Sequence, residues 1–254
     1  MKKENFIILT HERSGSNALV RILNQHPKLN VMVEPFNEDR IKWKKGNKNY
    51  KQEISSLEDI DPVLSEIHET HNGFKTLMYQ LPQEYYEYIL DKEDKIILLH
   101  RKNLLQATVS AEIAKQTGVW DFTKDSGAKK DTKKILSDMK EKKFKPLDMG
   151  HIRKAVEFLS NSTLHYKNLL RKSNKSFLDI LYEDLFSPLP QKRRGMIEKI
   201  FDFLDVEIPS NNMQKIESIV SPDRKMNNKK TYELFVNTYE IEAELGGEKY
   251  GHLF

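Results

Sequence analysis

Phe6-Ile-Ile-Leu-Thr-His-Glu-Arg-Ser-Gly-Ser-Asn17 decides how this chain is read. Phe6 to Leu9 is an apolar run of the length of a buried strand. Arg13-Ser-Gly-Ser-Asn17 follows at once, and Ala18 to Asn24 then brings apolar residues back at helical spacing. The order is strand, small-residue turn, helix. In such a turn several backbone N–H groups point into one concavity, and the helix N-terminus behind it adds partial positive charge. Arg13 supplies a full charge. These features suit a phosphate or an isosteric anion. The nucleoside-triphosphate loop differs, because it carries a second glycine followed by Lys and Ser/Thr; here Ser16-Asn17 follow Gly15. The bland alternative is a strand-to-helix turn with a capping serine.

Outward from this stretch, strand and helix patterns alternate. Pro27 ends the first helix, and Asn30 to Glu34 reads as a short strand stopped by Pro35. Leu57 to His71 has helical spacing, Phe74 to Tyr79 reads as a third strand, and Pro82 begins another helix. Lys95 to Arg101 is the clearest strand of all, and Asn103 is a plausible N-cap for a helix running to Thr117. Leu147 to Ser173 reads as a long helix, Phe177 to Leu181 as a strand, and Tyr232 to Leu245 as a final helix. Alternation of this kind marks a mostly parallel sheet flanked by helices, with ligands at the carboxyl ends of the strands. The loop after Leu9 and the carboxylate of Glu34 then share one crevice. We expect one domain over residues 1–254, with a lysine-rich stretch at 120–145 that is either a solvated surface segment or a mobile, acceptor-binding insert, and a helical segment at 211–254.

Composition narrows the classes. At 254 residues, 38% hydrophobic and 31% charged, the chain suits a globular fold. No apolar run approaches the length of a membrane span. Lys2-Lys-Glu4 leads straight into the first strand, unlike a signal peptide, so a cytoplasmic location is the expectation. Without cysteine there is no disulfide, thiolate catalysis or cysteine metal site. A net charge of +4 favours anionic ligands and is too mild to imply nucleic acid. Oligomeric state is not legible.

Three segments together resemble the sulfotransferases that use 3′-phosphoadenosine 5′-phosphosulfate (PAPS). The first is Arg13-Ser-Gly-Ser-Asn-Ala-Leu19 with Asn24-Gln-His-Pro27 and Val33-Glu-Pro-Phe36, which is most similar to the carbohydrate sulfotransferases and their bacterial relatives. The second is Leu98-Leu-His-Arg101 followed by Ser110, and the third is Tyr182-Glu-Asp-Leu185. The resemblance implies an α/β fold, a P-loop-like three-layer domain. It implies that Arg13, Ser14, Gly15, Ser16 and Asn17 hold the 5′-phosphosulfate, that Arg101 and Ser110 hold the 3′-phosphate, and that Tyr182 lies near the nucleotide. Here Arg101 and Ser110 are one residue further apart than in the cytosolic enzymes, and Lys102 sits at the shorter spacing, so either cation could make the main contact. Asp223-Arg-Lys225 and Lys229-Lys230 resemble a basic loop that closes over the nucleotide.

The implied reaction moves a sulfuryl group in line to an acceptor hydroxyl, with Glu34 as general base and Arg13 on the leaving oxygens. No metal is required. The product is adenosine 3′,5′-bisphosphate (PAP), and the acceptor is a small molecule or a carbohydrate, the latter favoured by branch resemblance alone. Glu12 is expected to point out of the loop, since an anion inside it repels the donor. His11, His26 and His100 are bases by type, with His26 read as structural and His100 as buried. Two alternatives stand beside this reading: a nucleotide kinase-like enzyme with a degenerate phosphate loop, and a non-catalytic nucleotide-binding protein of the same fold.

Overall fold

The computed structural model describes residues 4–38, 50–120, 137, 141–221 and 229–254. In chain order the first elements are β1 (Phe6–Thr10), α1 (Ser16–Leu23), β2 (Val31–Val33), α2 (Ile60–Thr70), β3 (Gly73–Leu77), α3 (Gln83–Lys92) and β4 (Lys95–His100). They are followed by α4 (Leu104–Thr117), α5 (Met149–Lys172), β5 (Ser176–Leu181), α6 (Tyr182–Leu185), α7 (Pro190–Phe203), α8 (Met213–Ile219), α9 (Lys229–Tyr232) and α10 (Thr238–Leu245). By contact the chain divides into two compact units, Met1–His100 with Leu164–Val220 and Arg101–Thr163 with Ser221–Phe254.

The first unit is built on a five-stranded sheet in the order β2-β3-β1-β4-β5, parallel at every pairing. Side chains alternate across a strand, and the two faces separate cleanly. Phe6 and Ile8 of β1, Ile97 and Leu99 of β4, and Leu178 and Ile180 of β5 pack with α1, α7 and α8. Ile7, Leu9, Phe74, Ile96 and Leu98 pack instead with α2, α3 and, through Tyr166 and Leu170, the end of α5. Helix, sheet and helix make three layers. Because β1 and β4 are covered on both faces, their sequences read as unbroken apolar runs. β1 lies between β3 and β4, where the connection through α1 leaves on one face and the connection through α3 arrives on the other. Ligand crevices form outside the carboxyl ends of the strands at such a point.

The second unit has its own core. Leu104, Leu105, Val109 and Ile113 of α4 meet Leu147, Ile152 and Val156, along with Phe235, Ile241, Tyr250 and Leu253. Two features of this unit bear on the sequence reading. α4 is apolar or small nearly all round, and its residues from Leu104 to Ala114 are buried except Gln106, so it has no solvent face in that stretch. The single final helix expected from Tyr232 to Leu245 is two, α9 and α10. Between them the Thr238 hydroxyl donates to the carbonyls of Tyr232 and Phe235, both at 3.1 Å, and the Asn237 side chain exchanges two hydrogen bonds with the backbone of Leu147. Most of the insert expected at 120–145 lies outside the described residues, as do Asp223-Arg-Lys225. The last residues of that stretch are packed: Phe144 stacks on Phe235 at 4.7 Å, and Lys145 pairs its backbone with the Gln116 amide. Among the described residues no helix is long and apolar enough to cross a membrane.

Candidate functional site

The loop after β1 is built from its own backbone. Arg13 has φ 60° and Gly15 φ 80°, both left-handed, with Ser14 between them. Ser14 is fully buried and donates its hydroxyl to the His11 carbonyl at 2.7 Å. Its oxygen lies 2.5 Å from the Thr10 hydroxyl, which in turn reaches the Leu99 carbonyl of β4 at 2.7 Å. The Ser14 side chain therefore braces the turn, and its backbone is what it can offer an anion. Gly15 is the N-cap of α1 and no side chain caps the helix, so the orphan N–H groups of its first turn suit an external acceptor. Ser16 is buried and Asn17 exposed. A Cβ on Gly15 would meet the Phe186 ring, with Cζ at 2.9 Å, and Tyr182 Cδ2 at 3.0 Å. Tyr182 and Phe186 stack on each other at 4.5 Å. Left-handed backbone and close approach both demand glycine at this position. The structure thus brings Tyr182, the first residue of α6, against the loop, more than 160 residues earlier in the chain.

Glu34 lies just past β2, at the same edge of the sheet, with φ 52°. β3 intervenes between β2 and β1, so the two strand ends stand about 10 Å apart. Of the three non-glycine residues with positive φ among the described residues, Arg13 and Glu34 are two. Such conformations cost about 1–3 kcal/mol each and cluster at functional sites. Glu34 Oε1 pairs with the Lys75 ammonium, and Oε2 accepts from the amides of Asn37 and, at 3.2 Å, Gln80. The Lys75 side chain is 1% exposed and that of Glu34 11%.

No sequence motif points to Lys75. It stands in Phe74-Lys-Thr-Leu77, within a strand that is buried throughout; an unpaired ammonium there is very costly, and that cost was the signal that a carboxylate must lie nearby. None points to Gln80 either. Its Oε1 accepts from the Leu77 N–H at 3.1 Å and the Thr76 hydroxyl at 2.9 Å, and Thr76 contacts the Tyr86 hydroxyl at 2.8 Å. Tyr86 is fully buried, and burial pushes its phenol far up, so it stays neutral and donates to the Leu77 carbonyl at 2.6 Å. The hydrogen bonds to Glu34 continue through Gln80 to Thr76 and the Leu77 N–H. The Met78 N–H donates to the Thr10 carbonyl at 2.8 Å, which ties the end of β3 to the start of the loop.

The other predicted site residues fall as follows. Arg101 and Ser110 both belong to the second unit. Arg101 is half-buried and donates from Nη2 to Gln106 Oε1 at 2.6 Å, while Ser110 is buried on α4 and Lys102 is exposed. Asn103 caps α4 as expected, accepting from the Gln106 N–H at 2.9 Å. Glu12 is half-buried. His11 is buried, with Nδ1 2.9 Å from the Glu12 carbonyl. His26 is buried at the end of α1, where burial first and then Lys28 hold its imidazole below the ordinary value; its Nδ1 accepts from the Lys28 N–H at 3.1 Å, a structural role. His100 is buried and bonds Asp179 at 2.7 Å. Burial alone would raise the Asp179 carboxyl, but hydrogen bonds from His100 and Lys167 outweigh it and hold the group at about 2.

No protein-family model matches the chain, and no curated protein matches it. Among solved structures, it is similar to mouse sulfotransferase SULT7A1 complexed with PAP, at 13% identity and a TM-score of 0.45 over 87% of this chain. The chain spans 65% of that structure's length. It is also similar to the sulfotransferase domain from the curacin biosynthetic pathway, at 13% identity and a TM-score of 0.47 over 95% of this chain and 97% of that one.

Proposed function

We propose that this chain is a sulfotransferase that moves the sulfuryl group of PAPS to an acceptor hydroxyl. The observation that carries the proposal is the placement of two strained residues, Arg13 and Glu34, past the carboxyl ends of β1 and β2 on one edge of a parallel sheet. One is a cation beside an uncapped helix start and the other a carboxylate, which are the two charges this transfer uses. The three sequence segments that resemble sulfotransferases agree with it.

On this reading the loop N–H groups from Ser14 to Asn17 and the Arg13 guanidinium bind the 5′-phosphosulfate. Tyr182 lines the nucleotide. Arg101 and Ser110 hold the 3′-phosphate, the guanidinium fork matching two phosphate oxygens at once. The acceptor O–H gives its proton to Glu34 as its oxygen bonds to sulfur. The bond from sulfur to the bridging phosphate oxygen breaks, and PAP leaves with the new charge facing Arg13. Acting as base requires the acceptor hydroxyl to replace Asn37 or Gln80 at Oε2, while Lys75 keeps Oε1 and so fixes the carboxylate plane. A carbohydrate is the proposed acceptor class, and the reading calls for no metal.

The test is an assay of sulfuryl transfer from PAPS to a panel of sugars, phenols and alcohols in the presence of a chelator, following PAP release and sulfated product together. The expected result is product from at least one polyhydroxylated acceptor. Hydrolysis of ATP with magnesium, and no PAP released from PAPS with any acceptor, would overturn the reading in favour of a kinase-like enzyme.

A further inference from the structure

A guanidinium on a flexible stem binds a phosphate well only when it is already aimed. Arg101 is aimed by a side chain. Its Nη2 donates to Gln106 Oε1 at 2.6 Å, and Gln106 Nε2 donates to the Leu253 carbonyl at 3.3 Å. Arginine can only donate and a carbonyl can only accept, so the two partners fix one orientation of the Gln106 amide.

The Leu253 carbonyl is itself held. Leu253 N–H donates to Glu242 Oε2 of α10 at 2.7 Å, and its side chain is buried in the core of the second unit. Two residues earlier, Gly251 has φ 88°, and a Cβ there would stand 2.6 Å from Asn103 Cγ and 3.0 Å from Asn103 Cα. That close approach lets the segment Tyr250–Leu253 lie along the start of α4. The Tyr250 carbonyl accepts from the Leu105 N–H at 2.9 Å, which satisfies one of the helix's orphan donors, and the His252 carbonyl accepts from Asn103 Nδ2 at 2.7 Å. A relay therefore runs from Glu242 through Leu253 and Gln106 to Arg101, all within the second unit.

We infer that Gln106 is a positioning residue for nucleotide binding: held by the Tyr250–Leu253 segment, it presets the Arg101 guanidinium for a 3′-phosphate. The inference rests on the proposed 3′-phosphate role of Arg101. It makes the segment near residue 253 a determinant of nucleotide choice, because loosening it costs affinity for nucleotides with a 3′-phosphate and leaves the others unaffected.

The experiment is calorimetric titration of PAP and of adenosine 5′-phosphate into the parent chain, Gln106→Met, Arg101→Ala and the double variant, with thermal unfolding of each. Gln106→Met keeps length and bulk but removes both hydrogen bonds. The expected result is a PAP affinity lowered about three- to tenfold with adenosine 5′-phosphate unchanged. Arg101→Ala is expected to lower PAP affinity more, and the double variant to match Arg101→Ala alone, since without the guanidinium there is nothing to aim. A parent-like PAP affinity in Gln106→Met, or a loss that adds in full to that of Arg101→Ala, overturns the inference and leaves the role of Arg101 standing. A parent-like PAP affinity in Arg101→Ala overturns both. If Gln106→Met unfolds, Gln106→Asn, too short to bridge its two partners, takes the same test.

Discussion

The turns after β1 and β2 stand at one edge of one sheet and are made in opposite ways. The first is a backbone structure. Its serines and glycine are small, Ser14 is spent on holding the turn, and no side chain caps the helix behind it. The second is a side-chain structure, in which Glu34 is met by a buried ammonium and two amides from Asn37, Lys75 and Gln80. A turn that offers N–H groups suits a ligand with fixed, multiple charge. A carboxylate held on several sides suits a group that must accept one proton from one direction. The difference predicts that changes in the two turns fail differently.

The largest expected effect is on turnover. Glu34→Gln keeps the shape but cannot take a proton, so turnover should fall roughly a hundredfold to ten-thousandfold, while PAP affinity, measured by calorimetry, should stay within a few-fold. Near-normal turnover at saturating donor and acceptor would remove Glu34 from the chemistry.

Glu34→Gln also strips Lys75 of its counter-charge. Breaking a buried ion pair from one side costs about 3–5 kcal/mol, and urea unfolding should show a loss of that order, reduced by the substituted amide, whose oxygen still accepts. The variant Glu34→Gln/Lys75→Met removes the stranded charge and should recover most of the stability with none of the turnover. Recovery of both would mean that the carboxylate serves only the fold.

In the backbone-built turn the pattern reverses. Gly15→Ala forces a Cβ against Phe186 and Tyr182 and into left-handed backbone. It should cost about 1–3 kcal/mol and weaken PAP at least tenfold, since the N–H groups are displaced together. Asn17→Ala, exposed and acting through its backbone, should change little.

A further effect, visible only in acid, is expected at Asp179, a carboxylate paired much as Glu34 is, but with His100 and Lys167. Its folded value of about 2 lies below the ordinary 3.8, so its contribution is complete above about pH 4 and is lost as pH falls through 2. Acid unfolding of Asp179→Asn should lack this component, worth on the order of 1–2 kcal/mol after solvent screening. An unchanged acid profile would mean that the Asp179 carboxyl titrates in the folded protein as it does in the unfolded chain.

How legible each region was follows from the same contrast. β1, β4 and the loop between β1 and α1 could be read directly, because a buried parallel strand is a run of adjacent apolar residues and a backbone turn is a run of adjacent small ones. The Asn103 cap was equally local. The surroundings of Glu34 were not legible, because Lys75 and Gln80 lie more than forty residues on and reach it only through the pairing of β2 with β3. The break between α9 and α10 was half visible. Asn237-Thr-Tyr-Glu240 is a helix-start pattern, yet Asn237 uses its amide on Leu147, ninety residues away, and the periodicity across the break hid it. α4 was legible as a helix but not in its depth: Ser110 and Glu112 are buried along with its apolar residues, because the core of the second unit covers it on more than one side.

The central claim is that this fold binds a nucleotide through a metal-free anion loop and a separate 3′-phosphate contact. Calorimetric titration of PAP and of ATP, each with a chelator and again with magnesium, tests it most directly. The account predicts that PAP binds equally well in both buffers and more tightly than ATP in either. ATP binding that needs magnesium and exceeds that of PAP would contradict it.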